Sequence, residues 1–232
     1  MSLNFANPYY PYSQVPSSGN ALKGAEYIPQ MLLNYMLDLP DANHYVPSDD
    51  NSRPRVRFIK YVLDDSNDPL STPLPTPEQK LSLIFDPEHP ELGTEEEKAA
   101  HPFGYRLMWQ HVRKQSILDE QTLVKCYVGR VFDPRPYHTT IGIRWDIWVG
   151  SGFETNINTG VESRSFAIEQ AIRESFTRVN ITGIGPVSFS RSDHADNGST
   201  ILWTDGAILG RTLHMSIDWM DNEEPVDEFC DC

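Results

Sequence analysis

Few residues in this chain have both the type and the spacing that chemistry demands. Asp193-His194-Ala195-Asp196-Asn197-Gly198 resembles the start of a calcium loop. It fails at the third position, Ala195, and at the twelfth, Thr204, where a bidentate Glu is needed. A plain polar loop is the better reading. Gly183-x-Gly185 lacks the third glycine of a dinucleotide loop and follows a helical pattern rather than a strand. No phosphate loop, no G-x-S-x-G and no H-E-x-x-H occurs. Cys230 and Cys232 form a terminal C-x-C, and two thiols without histidine partners are too few for a structural zinc site. His101, His111 and His138 could converge in a sheet, although nothing in their spacing requires it. His214 lies on the polar side of the last strand pattern and reads as an exposed or interfacial group. Asn180-Ile181-Thr182 and Asn197-Gly198-Ser199 match a glycosylation sequon, which has no meaning without secretion. The expectation is therefore no catalytic residue, no bound cofactor and no metal.

Charge narrows the partners. The chain has 232 residues with 19 Lys+Arg against 33 Asp+Glu, a net charge of −14. Phosphate-backbone affinity comes from cations that displace counterions, so such a chain is a poor general binder of nucleic acid. It is equally poor at anionic membranes, and no apolar run approaches the ~20 residues needed to span a bilayer. The acidity is local. Residues 64–100 carry a net of −8 and residues 215–232 a net of −7, which leaves the remaining 177 residues at +1. Three cysteines without a secretory leader point to folding in a reducing compartment. Cys126 sits in an apolar, strand-like run and reads as a buried thiol.

These residues must be positioned by a recognisable set of elements. A hydrophobic fraction of 39% with 18 prolines suggests a folded domain with extended polar arms. Residues 1–21 read as an N-terminal arm in which prolines block helix while Tyr9, Tyr10 and Tyr12 seek burial. The arm is either disordered or packed on a neighbouring subunit. Residues 22–104 hold a helix over 22–38, a strand over 55–63, a Pro-rich loop over 64–79, a short strand over 80–85 and an acidic excursion. In that excursion Glu95-Glu96-Glu97 opens one helical turn. Residues 105–220 form the core domain. Strands are expected over 105–112, 123–131 and 139–149, a helix over 161–179 with Phe166, Ile168, Ala171, Ile172, Phe176 and Val179 on its apolar face, and strands over 186–191, 200–204 and 209–219. Gly183-Ile184-Gly185-Pro186 is expected to stop the helix, and Asp205-Gly206 is a hairpin signal. Residues 221–232 form an acidic tail. The order predicts an α+β fold, a mostly antiparallel sheet with a long helix across one face.

In the strand over 139–149, Ile141, Ile143, Trp145, Ile147 and Val149 alternate with Thr140, Gly142, Arg144, Asp146 and Trp148. Trp148 breaks the polar face. It reads equally as a contact residue and as packing under a loop.

Several segments together resemble the tail-terminator and head–tail connector (neck) proteins of long-tailed bacteriophages. They are Val128 to Val131, Ile141 to Val149, Arg164 to Val179, Ile181 to Phe189, and Leu209 to Ile217, with Leu81 to Pro87 upstream. The shared plan is a strand ending in a polar turn, a helix opened by Arg, a glycine-pair loop before a strand, and a closing strand. The resemblance covers about half the chain. It implies a structural virion protein, made in the bacterial host cytoplasm. Such a protein assembles as a homo-oligomeric ring, commonly a hexamer, bound to tail-tube and head-connector proteins. Genomic DNA would pass through the lumen without specific binding, since acidic residues there repel phosphate. Tyr9, Tyr10, Tyr12 and Trp148 are the interface candidates. Stopper, head-completion, tail-tube and baseplate roles stay open beside the terminator role, as does a soluble α+β enzyme or adaptor.

Overall fold

The computed structural model describes residues 25–39, 48–86, 92–109, 121–132, 138–150, 152, 154, 163–181, 184–189, 199–203 and 208–220. The arm with Tyr9, Tyr10 and Tyr12, the tail with Cys230 and Cys232, His111, the 193–198 loop and Asp205-Gly206 lie outside them.

A 3-10 turn over Ala25–Tyr27 leads into α1, Ile28–Met36, with Pro29 in its first turn. Pro suits that position because its missing N–H would be unpaired anyway. Ile28, Met31, Leu32, Leu33 and Met36 are buried. Asp38, at φ 50°, turns the chain out of the helix.

The strand expected over 55–63 is a helix, α2, Pro54–Leu63. Alternation there lasts only four residues, Arg55 to Phe58. Beyond it Ile59, Tyr61, Val62 and Leu63 are all buried, and Pro54 occupies the first turn. A segment buried on nearly every side carries no period that separates strand from helix. A helix pairs its own backbone and can pack against α5 without a neighbouring strand.

The strand expected over 80–85 is also mostly helical. Thr76 and Gln79 form a reciprocal capping box that starts α3, Pro77–Ser82. Only the end of that stretch, Leu83 to Phe85, meets the sheet: Ile84 forms a parallel bridge to Leu107, whose N–H donates to the Leu83 carbonyl at 2.9 Å and whose carbonyl accepts from the Phe85 N–H at 2.8 Å. A second capping box, Thr94 with Glu97, starts α4 at Glu95–Ala100, the turn expected from the three glutamates.

The sheet is α+β in character, as the element order predicts. Its strands are β1 (Leu107–Met108), β2 (Leu123–Phe132), β3 (His138–Gly150), β4 (Asn180–Ile181), β5 (Gly185–Ser188), β6 (Ser199–Trp203) and β7 (Ile208–Met220). The spatial order is β1-β2-β3-β7-β5-β4, and β6 pairs with the first half of β7 beside β5. Every pairing is antiparallel except β1 with β2. Gly129 forms a bulge between Val128 and Arg130.

One face of the sheet carries Val124, Cys126, Ile141, Ile143, Trp145, Ile147, Val149, Leu213, Met215 and Ile217. These side chains join α1, α2 and the long helix α5, Arg164–Phe176, in a single core. The 22–104 and 105–220 segments thus share one hydrophobic interior. Helix α5 ends earlier than the glycine pair suggested. Thr177 caps it and Arg178 turns left-handed at φ 61°. No described helix is long and apolar enough to cross a membrane.

Candidate interaction surface

Among the described residues, four groups of polar and aromatic side chains stand out; the first three hold elements of the fold together.

The first is the buried clamp at the start of α5. Arg164 is completely buried. Its guanidinium donates to the carbonyls of Tyr61 at 3.0 Å, of Ser66 at 2.5 Å, and of Asp64. Beside it, the carboxylate of Glu154 accepts from the Ser165 N–H at 3.0 Å and from the Ser165 hydroxyl. Free N–H groups and the positive end of the helix dipole favour a carboxylate at that position. Burial lowers the Arg164 pKa, partly offset by the charges of Asp65, Asp64 and Glu154.

The second lies under α1. Asp38, with its side chain fully buried, pairs with Arg53 at 3.0 Å and Arg55 at 2.7 Å. The Lys80 ammonium donates to the Asp38 carbonyl at 3.1 Å. Burial drives the Lys80 pKa down to about 8; the charge of Asp38 resists this, and Arg53 and Arg55 add to it.

The third is the sheet face turned away from the helices. Asp146 accepts from the Tyr127 hydroxyl at 2.8 Å, from Arg144 Nε at 2.9 Å and from the Thr212 hydroxyl at 2.8 Å. Burial, then the bond to Asp146, raises the Tyr127 pKa above the usual phenol range. A carboxylate with three donors around it orients its neighbours. On the same face Trp148 is half-buried. It packs on Phe85, Tyr105, Met108 and Leu123, with the Lys125 ammonium 5.9 Å from its ring. Its indole N–H is buried without an acceptor. Trp148 is thus in contact with the 85–108 segment. Its opposite number across the ladder is Gly210, where a Cβ would sit 2.3 Å from the Ile147 carbonyl oxygen.

The fourth group is open to solvent. Among the described residues β6 pairs with β7 and no strand lies beyond it. Ile201, at its centre, is 53% exposed, and Phe166 on α5 is 39% exposed. The apolar face expected for the 161–179 helix included Phe166; instead it points to this edge. The two flank Arg211, whose guanidinium lies 5.2 Å over the Phe166 ring and whose cross-strand partner is Ile201. Glu169 ties the edge to α5. It accepts from Arg211 at 2.6 Å, Arg173 at 2.8 Å and Ser199 at 2.5 Å. Burial alone would raise its pKa, but those three bonds outweigh it and hold the carboxyl below the usual range.

Among the described residues, His101 and His138 sit far apart along the sheet. His101 Nδ1 is 2.8 Å from the Ser82 carbonyl oxygen, beside β1. Leu107 of β1 is in register with Val124 and through it with Ile147, nine residues along β3 from His138. Nine residues of strand span ~30 Å. His214 is half-buried opposite Arg144. Among the described residues no group of three or more His, Cys, Asp or Glu is placed to hold a metal ion. Cys126 is fully buried, and burial pushes its thiol pKa well up.

Pattern reading missed Ile201, because an apolar residue in a strand looks the same at an edge and in the middle. It missed the Glu169 cluster, because those partners are 30 and 42 residues apart along the chain. Arg164 was visible only as a helix-opening residue, without its three carbonyl partners.

No model of a known protein family, no curated protein and no solved structure matches the chain.

Proposed function

We propose that this chain is a structural protein of a bacteriophage neck. Its copies form a ring, commonly of six, that terminates the tail tube and joins it to the head connector. The ring lets genomic DNA through without binding a particular sequence, and the protein resides in the virion. The reading rests on the resemblance of the strand–helix–strand plan. The observation that carries it is the β6 edge, where Ile201 and Phe166 are exposed side by side. An edge strand with exposed apolar side chains is costly for a monomer and useful to a protein that binds neighbours. On the opposite face Asp146 accepts from Arg144, so that guanidinium is already engaged by a carboxylate rather than offered to phosphate.

The test is the mass of the purified chain by light scattering, with negative-stain images in the presence of tail tubes. A symmetric ring that caps tubes supports the proposal. A monomer that neither caps tubes nor binds other neck proteins overturns it.

A further inference from the structure

A groove of about 520 Å³ opens between the end of α2 and the segment before α3, a size in the range of binding clefts. Leu63, Leu74, Pro75 and Phe103 give it apolar walls, and Asp64 and Gln79 bring polar groups to it. The 72–76 wall is held in shape. The Thr72 hydroxyl donates to Asp64, the Leu74 N–H donates to Asp49 at 3.3 Å, and the Thr76–Gln79 capping box anchors the far end. Pro73 and Pro75 fix two further φ angles. A groove ordered before its occupant arrives costs little entropy to fill.

The chain carries a segment suited to such a groove, Pro8-Tyr9-Tyr10-Pro11-Tyr12 in the arm. Proline favours the polyproline II form, which repeats every three residues. On that period Pro8 and Pro11 share one edge, and Tyr9 and Tyr12 share another, ~9 Å apart. Segments of this kind dock in apolar grooves because their extended form is largely preset. A tyrosine ring packs on apolar walls while its hydroxyl needs a partner at the rim. The Asp64 carboxylate accepts from Thr72 and Ser66 and has room for a further donor.

Reach is sufficient. Twelve residues separate Tyr12 from Ala25, where the first described element begins. Extended at ~3.1 Å per residue they span ~37 Å. A globule of this length has a radius of gyration of ~17 Å, so the tether is long enough to leave its own copy.

We infer that the Pro8–Tyr12 segment of one copy seats in the Leu63–Leu74–Phe103 groove of a neighbouring copy. Tyr9 and Tyr12 enter the groove, and their hydroxyls bond its polar rim. The inference rests on the ring reading, in which an arm exchanged between identical chains joins successive subunits. It gives the three tyrosines of the arm a place to go.

The test uses the full-length chain with Tyr12→p-benzoylphenylalanine, which keeps an aromatic group at that position and bonds a nearby carbon on irradiation. Light scattering first gives the mass of the unsubstituted chain. Irradiation is expected to yield a band at twice the mass of one chain, and mass spectrometry of the digested band to place the new bond within residues 63–79 or at Phe103. Pro73 lines the groove and is exposed, so Pro73→Arg crowds the groove without opening the core. Added to the photoreactive chain, it is expected to cut the yield of that band at least fivefold, with circular dichroism confirming its fold. A bond elsewhere, no bond, or a yield unmoved by Pro73→Arg overturns the seat. A groove bond at the mass of a single chain overturns the exchange between copies. Each of these results in an assembled chain leaves the ring reading standing, while a monomeric unsubstituted chain overturns the ring reading and this inference together.

Discussion

Arg211 on β7 donates from Nε to the Glu169 carboxylate on α5 at 2.6 Å, and this pair locks the helix to the open edge of the sheet. Arg173 and the Ser199 hydroxyl complete the carboxylate's shell. Because the folded state holds the Glu169 pKa below 4.5, its contribution is present above that value. It is lost as pH falls through the lower, folded pKa. Glu169→Gln is expected to lower stability near neutral pH by about 1–3 kcal/mol and to flatten the acid limb of the stability–pH profile. Urea melts between pH 3 and 7 read both effects; an unchanged acid limb refutes this account.

Lys80 works in the opposite pH range. Its folded pKa of about 8 lies below the usual 10.5, so between those values the unfolded chain binds more protons. Stability from this group therefore rises with pH across that window, with a slope of at most about 1.4 kcal/mol per pH unit. Lys80→Met is expected to remove that slope. Denaturant melts of both proteins at pH 7.5, 8.5 and 9.5 measure it, and parallel profiles would contradict the assignment.

Arg164→Leu removes the guanidinium that bonds the Tyr61, Asp64 and Ser66 carbonyls and leaves its own buried site unfilled by polar atoms. The expected loss is about 3–5 kcal/mol, seen as a large fall in denaturation midpoint. Arg164→Lys should recover only part of it, because an ammonium cannot span the Tyr61, Asp64 and Ser66 carbonyls as a planar guanidinium does. A lysine variant as stable as wild type would show that charge, not geometry, is what matters.

Gly210→Ala forces a methyl against the Ile147 carbonyl oxygen across the β3–β7 ladder. The expected cost is about 1–3 kcal/mol. The same substitution at Gly152, where nothing lies within 4 Å, should cost far less. Equal melting temperatures for the two variants would refute the close approach.

Replacing Tyr9, Tyr10 and Tyr12 together by serine is expected to weaken assembly while leaving the melting temperature of the core unchanged. Light scattering and calorimetry on the same sample distinguish the two. Intact assembly, or a destabilised core, removes these residues as interface candidates.

Much of the fold could be read along the chain. The strict alternation from Thr139 to Val149 and from Leu209 to Trp219 locates the two central strands, and the apolar spacing of Ile168, Ala171, Ile172 and Phe176 locates α5. Such periodic signals survive because one face of each element is buried and the other is not. Legibility ended at 55–63, where burial on several sides erased the period, and at 80–85, a stretch too short to show one. Capping chemistry at Thr76 and a first-turn proline at Pro54 were the local signals that favoured helix.

Composition and pattern alone determined the α+β class, the buried thiol at Cys126, the local nature of the acidity and the helical turn at Glu95-Glu96-Glu97. Those properties belong to single segments, and neighbouring residues specify them. Only the tertiary structure decided that Trp148 packs on the 85–108 segment, that Arg164 clamps the loop after α2, and that Ile201 and Phe166 share an open edge. Each of these depends on which segments meet across many tens of residues. Strand pairing and helix packing settle that together, and no local pattern encodes it.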